Sequence, residues 1–187
     1  IHHFGKTWWA PIIVRSFYSY IERGERVLDI GAGGGWVGEL LSKEREAEVT
    51  LLDVADFNRS NLPLVLYDGA RMPFQDNSFD TSLLLFVLHH CEDPLRVLKE
   101  AMRVAQKRIV IHEDTYTSPV GKLLTGMNDF ISNFPFFLSK KIVHLAVREL
   151  HGFLLYTNRG VCQALGHPPK NLANTVYSGT RWNLVNF

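Results

Sequence analysis

The run Val27-Leu28-Asp29-Ile30 passes directly into Gly31-Ala32-Gly33-Gly34-Gly35 and then into a segment of helical composition beginning at Trp36. A buried strand, a glycine-rich turn and a helix in that order bring bare backbone close to whatever sits at the helix N-terminus. Three consecutive glycines are conformationally costly unless something must approach them, although a purely structural turn is the plain alternative. A dinucleotide fingerprint, G-x-G-x-x-G, requires a third glycine where this chain has Trp36, whose ring would obstruct the pyrophosphate. Asp29 points the same way. A carboxylate two residues before the first glycine suits an ammonium or sulfonium group better than a pyrophosphate.

Around this unit, short Val/Ile/Leu runs alternate with segments of helical period, the pattern of a parallel sheet covered on both faces. Strands are expected at Arg26–Ile30, Val49–Val54, Leu62–Tyr67, Thr81–Leu88 and Arg108–His112. Helices are expected at Pro11–Arg23, Trp36–Arg45 and Asp93–Val104, the last opened by an Asp-Pro cap pair, and then at Ser118–Ile131, Ser139–His151 and Thr157–Leu165. The end of the chain, Asn174–Ser178, Gly179-Thr180 and Arg181–Phe187, reads as a hairpin. The fold class is therefore α/β: a Rossmann-like, doubly wound sheet of seven mostly parallel strands with an antiparallel last strand, and helices on both faces.

The 187 residues, 46% hydrophobic, suffice for one domain with a core that needs no disulfides. Cys91 and Cys162 have no ligand spacing, which predicts no metal site and suits a reducing, cytoplasmic compartment. A net charge of +1 offers no field for nucleic-acid binding. The most apolar stretch, Phe130 to Val147, is broken by Asn133, Pro135, Lys140, Lys141 and His144, so no membrane span is expected. No secretion signal opens the chain; its start at Ile1 marks a removed N-terminus or part of a longer protein.

Four stretches together resemble the class I S-adenosylmethionine-dependent methyltransferases, most closely the type 11 methyltransferase domain. Asp29, Gly31, Gly33 and Gly35 match its first motif in order. Asp53 closes Leu51-Leu52-Asp53 at the family's ribose-binding acid, with Asp56 as a rival. Tyr67-Asp68-Gly69-Ala70-Arg71-Met72-Pro73-Phe74 and Asp76-Asn77-Ser78-Phe79-Asp80 resemble its D-A-x-x-L-P-F…D-x-S-F-D stretch, and Phe86-Val87-Leu88-His89-His90 followed by Asp93-Pro94 resembles the next. The resemblance is firm from Arg26 to Asp114. It implies S-adenosyl-L-methionine as cofactor, held by Asp29, Gly31, Ala32, Gly33, Gly35, Asp53, Asp68, Gly69, Ala70 and Phe86.

Methyl transfer from a sulfonium is an in-line displacement, which proximity and orientation can largely drive. A base is needed only for an acceptor that must lose a proton, and its candidates are His89, His90 and Glu113. His112, Glu113 and Asp114 end the fifth strand and could face the acceptor, with a capping or hydrogen-bonding role as the alternative. Trp8, Trp9, Phe17, Tyr18 and Tyr20 could form a lid, with packing the expectation for most. Phe130, Phe134, Phe136, Phe137 and Phe153 lie in a helical insertion at about 116–156, expected to cover a small, partly apolar methyl acceptor, with core packing and a dimer or partner surface as the alternatives. The chain is expected as a monomer or homodimer. A binding or regulatory subunit on the same fold is the competing class, and a nucleotide-dependent oxidoreductase is the weaker third.

Overall fold

The computed structural model describes residues 8–114, 173–177 and 180–186. Helix α1, Ala10–Phe17, is followed by a 3-10 turn at Tyr18–Tyr20, strand β1 at Arg26–Ile30 and helix α2 at Trp36–Arg45. Strands β2 (Glu48–Asp53), β3 (Leu64–Leu66) and β4 (Phe79–Leu85) come next. A 3-10 turn at Leu88–His90, helix α3 at Pro94–Val104 and strand β5 at Ala105–Asp114 complete that half. Strands β6 (Ala173–Tyr177) and β7 (Thr180–Asn186) lie near the end.

β3, β2, β1, β4 and β5 are neighbours in that order and every pair is parallel. Beyond β5 the backbone pairing continues antiparallel to β7, with Arg108 opposite Asn186 and Asp114 opposite Thr180, and from β7 antiparallel to β6. Strand alternation divides the core. Val27, Val49, Leu51, Leu83 and Val110 join Ile13, Val14, Phe17, Val37 and Leu41 of α1 and α2 on one side. Leu28, Ile30, Leu52, Leu84, Ile109 and Ile111 join Val97, Leu98, Ala101 and Val104 of α3 on the other. This is a Rossmann-like parallel sheet with helices on both faces. Its strand order turns back between β1 and β4, so the carboxyl ends of those strands open a crevice.

β1 and α2 have the bounds expected of them. Helix α1 is shorter, ending at Phe17 instead of Arg23. Arg45 takes over the carbonyl of Tyr18 with a 3.0 Å hydrogen bond and lays its guanidinium 3.7 Å over the Tyr18 ring, while Ile21 turns extended to bury its side chain. β3 is confined to three residues because Asn58 Nδ2 holds the Leu62 carbonyl in a side-chain-closed loop. β4 stops at Leu85, three residues before the expected end, since Phe86 has φ +57° and turns the chain out of the sheet. β5 is longer than Arg108–His112, because parallel pairing begins at Phe79 opposite Ala105. The helices expected at Ser118–Ile131, Ser139–His151 and Thr157–Leu165, the 116–156 insertion and Cys162 lie outside the described residues.

Asp93 caps α3 by accepting from Arg96 N at 3.0 Å, with Pro94 at the first helical position. Asp93→Ala should lower stability by about 1 kcal/mol, read as an earlier urea midpoint with unchanged slope. At the far end of this helix, Glu100 accepts from Met72 N and pairs with Arg103. Arg103 in turn donates to the carbonyls of Met72 and Phe74 and to Asp76. These bonds tie the 72–76 loop to α3 and so set the loop that carries Asp68 to Ala70.

Candidate cofactor and active site

Gly31 N donates to the Leu52 carbonyl at 2.8 Å and Gly35 N to the Ala32 carbonyl at 2.9 Å, which folds the turn over the end of β2. Gly31 has φ +68°, and a Cβ there would lie 2.3 Å from Cγ2 of Val87. Gly33 has φ +51° and faces open space, with nothing within 4 Å of where a Cβ would stand. The turn is thus tight on its protein side and bare on its outer side. Gly35 packs under Asn58, Ser60 and Leu51. Trp36 lies half-buried beside Gly34 against the core rather than across the open face.

Two carboxylates flank the turn. Asp53 Oδ2 accepts from Gly33 N at 2.9 Å, and Oδ1 accepts from Val54 N at 2.7 Å. Asp29 is buried on the α1/α2 side of β1, where its carboxyl receives a hydrogen bond from Gly38 N. Burial and then the charge of Asp53 push Asp29 up to about 7. Burial also raises Asp53, against the backbone donors and His90. Asp29 therefore acts through the turn and α2, with only 3% of its surface exposed.

Asp68 is exposed and accepts from Ala70 N at 2.8 Å and Arg71 N at 3.3 Å; those two donors hold its carboxyl below the usual range. Its loop meets β2 where Val54 lies 3.5 Å from the Cβ position of Gly69. Val54, 49% exposed, was not singled out by motif. The signal for it is an apolar residue immediately after a strand-ending acid, where a solvated polar residue would be the default. Asp56 stays exposed and accepts from Asn58 N, a local turn bond that leaves it apart from the glycines.

The end of β4 is organised by β5. Phe86 N donates to the His112 carbonyl at 2.7 Å, and its ring meets His112 at 4.4 Å and Trp9 at 5.5 Å. His112 is buried, which pushes it down to about 4. Glu113 Oε1 accepts from Val87 N at 2.9 Å and Leu88 N at 2.6 Å, while Oε2 lies 2.5 Å from His89 Nδ1. The His89 and His90 rings are 3.9 Å apart. They do not continue β4. The left-handed Phe86 turns the chain, and the 3-10 geometry places both rings side by side. Cys91, raised to about 12 chiefly by burial, is an inert thiol.

The structure thus brings Gly31, Gly33, Asp29 and Asp53 together, and separately joins His89 to Glu113 on the turn packed against Gly31. Asp68, Gly69 and Ala70 lie on the loop beside Val54, and Phe86 sits with Trp9 and His112. Phe17 is core, Tyr18 pairs with Arg45, and Trp8 and Tyr20 remain exposed. Among the described residues no three His, Cys, Asp or Glu side chains converge as a metal site, and no helix is long and apolar enough to cross a membrane.

Residues 28–110, which include the glycine turn, Asp53 and the Asp68 loop, match the family model described as methyltransferase domain. Over that segment the chain is similar to methyltransferase domains. It is 30% identical over 120 residues to the demethylmenaquinone methyltransferase of Paenarthrobacter aurescens, covering 60% of this chain and 46% of that protein. It is 32% identical over 112 residues to the Thermotoga maritima protein of the same name, covering 54% and 48%. The matched region spans about half the length of these relatives. A crystal structure of an S-adenosylmethionine-dependent methyltransferase from Aquifex aeolicus superposes with a TM-score of 0.62 at 17% identity, covering 98% of this chain and 93% of that one. That likeness establishes the fold. S-adenosylmethionine is the cofactor that goes with this family and fold.

Proposed function

We propose that the chain is an S-adenosylmethionine-dependent methyltransferase acting on a small, partly apolar acceptor. One observation carries the reading: Asp53 accepts the Gly33 N–H on the outer side of the glycine turn, where no atom of the described residues lies within 4 Å of a Gly33 Cβ. The residues suit the cofactor. Gly31 to Gly35 with Asp53 would hold its methionyl and ribose parts, and Asp68 to Ala70 with Val54 its base, Val54 offering an apolar flank. Asp29 keeps the turn in place through Gly38. When bound, the cofactor supplies a methyl group on a sulfonium leaving group, so the protein's task is to align an acceptor and exclude water. Calorimetric titration with S-adenosylhomocysteine tests the site. Asp53→Ala should weaken that binding by roughly 1.5–3 kcal/mol, the cost of a lost hydrogen bond to a charged group. Unchanged affinity would transfer the contact to Asp56.

The proposal includes a seven-stranded sheet ending in an antiparallel strand, supported by the register from β5 to β7. It also takes 1–187 as one domain whose aromatic-rich 116–156 sequence surrounds the acceptor, supported by Phe130, Phe134, Phe136, Phe137 and Phe153. The name shared by the relatives, demethylmenaquinone methyltransferase, supports a small apolar acceptor of the hydroquinone kind. In-line displacement, a monomer or homodimer and a cytoplasmic setting belong to the same reading.

A further inference from the structure

We infer that His89 and Glu113 form a carboxylate–imidazole dyad that removes a proton from the acceptor, with His89 Nε2 as the base and Glu113 as its positioning residue. This rests on the methyltransferase reading and narrows its substrate class to acceptors with an ionisable hydroxyl.

The assignment comes from how Glu113 is occupied. Its Oε1 receives two backbone N–H groups, from Val87 and Leu88, and its Oε2 faces His89 Nδ1 at 2.5 Å. Both oxygens of this carboxylate are thus engaged on residues 87 to 89, which leaves the imidazole, not the carboxylate, to meet an acceptor. The same contacts fix the ring. Nδ1–H donates to the carboxylate, which leaves the lone pair on Nε2, the tautomer a base needs. The three donors come from consecutive residues, 87 to 89, so one carboxylate sets both the turn and the imidazole.

Position supports the role. Val87, the first residue held by Glu113, packs against Gly31, so the turn that carries His89 abuts the glycine turn. His89 and Glu113 side chains keep 15% and 12% of their surface exposed, enough for a small acceptor to reach them. Other groups around the dyad fit different tasks. His90 lies tilted against His89 and in the field of Asp53; Cys91 shares the field of Glu113, Asp53 and Asp93; His112 is buried against Phe86. In the step, the acceptor's O–H bond breaks, its proton passes to His89 Nε2, and the electron pair stays on oxygen, which would take the methyl group as the methyl–sulfur bond of the sulfonium breaks with its pair left on sulfur. The imidazolium, stabilised by Glu113, then returns its proton to water.

Two readouts on the full chain test this, one independent of turnover. Nitrogen-15 histidine spectra report the tautomer of His89. Wild type should show Nδ1–H. In Glu113→Gln the amide oxygen can still accept from Val87 and Leu88, but the amide N–H₂ faces Nδ1 and should drive the ring to Nε2–H. Turnover is read with 1,4-naphthohydroquinone and 1-naphthylamine as probes. His89→Gln and Glu113→Gln should each lower hydroquinone methylation about 100-fold or more while S-adenosylhomocysteine affinity is retained, and wild-type activity should fall with pH as His89 protonates. The inference is overturned by an unchanged tautomer in Glu113→Gln, by wild-type turnover in His89→Gln, or by methylation of the amine alone. Failure to methylate the hydroquinone by a wild type that binds S-adenosylhomocysteine also overturns it. A wild type that does not bind S-adenosylhomocysteine instead removes the methyltransferase reading on which the dyad rests.

Discussion

Asp29→Asn should stabilise the protein at pH 8 by several kcal/mol, on the order of 1.4 kcal/mol for each pH unit between the two titrations of this carboxyl. In the unfolded chain Asp29 loses its proton near 3.8, whereas in the fold it holds it to about 7. Across that interval the native state binds more protons, so its contribution is complete below about 4 and is lost as pH rises through 7. Asparagine keeps an oxygen for Gly38 N and carries no charge to desolvate. His112 works with the opposite sign. Its folded pKa is depressed from 6.5 to about 4, so its contribution is present above 6.5 and lost as pH falls through 4. The two oppose each other between about 4 and 6.5, and Asp29→Asn should expose a steeper acid limb belonging to His112. Urea midpoints from pH 4 to 8 measure both effects. Equal midpoints for wild type and variant at pH 8 would mean that the Asp29 carboxylate is solvated in the native protein.

Gly31→Ala should cost about 2–4 kcal/mol of stability and most of the cofactor affinity. The left-handed backbone at φ +68° is unfavourable for alanine by about 1 kcal/mol or more, and overpacking adds about 1–3. The added methyl would lie 2.3 Å from Val87 Cγ2 and 2.9 Å from its Cβ, and Val87 cannot retreat freely because Glu113 holds its amide. The strain should pass into the turn that carries His89. Gly33→Ala makes the comparison informative. At φ +51° it shares the backbone penalty but meets no atom, so its stability loss should stay near 1 kcal/mol while its methyl occupies the ligand side. Thermal melts paired with S-adenosylhomocysteine calorimetry separate the two; a Gly33→Ala variant with full affinity would place the ligand elsewhere.

Local signals made the central unit legible. An apolar strand, a glycine turn and a helix start are all short-range statements, and β1, α2 and α3 follow them closely. Asp53 was legible because a strand-ending acid beside a glycine turn has few structural uses, and the structure places it on Gly33 N. Where the expectation missed, a distant residue had intervened. Arg45 ends α1 by capturing the Tyr18 carbonyl from 27 positions away. Phe86 ends β4 in a conformation no apolar pattern announces, held by the His112 carbonyl and flanked by His112 and Trp9.

The sequence by itself determined the alternation of strands and helices, the glycine turn and the identity of the acids around it, because backbone propensity, side-chain alternation and capping act within a few residues. Only the tertiary structure decided what the candidate bases are. His89, His90 and Glu113 were equivalent as letters in a chain. The parallel pairing of β4 with β5 brings Glu113 across 24 to 26 positions onto Val87, Leu88 and His89, and that contact separates a positioning carboxylate from an oriented imidazole. Burial drew the other distinction. Asp29 and Asp68 both stand near glycines, yet one is enclosed beneath the turn and raised to about 7 while the other is solvated and held low by its own loop. Desolvation depends on which face of the finished sheet a side chain meets, and no stretch of sequence contains that face alone.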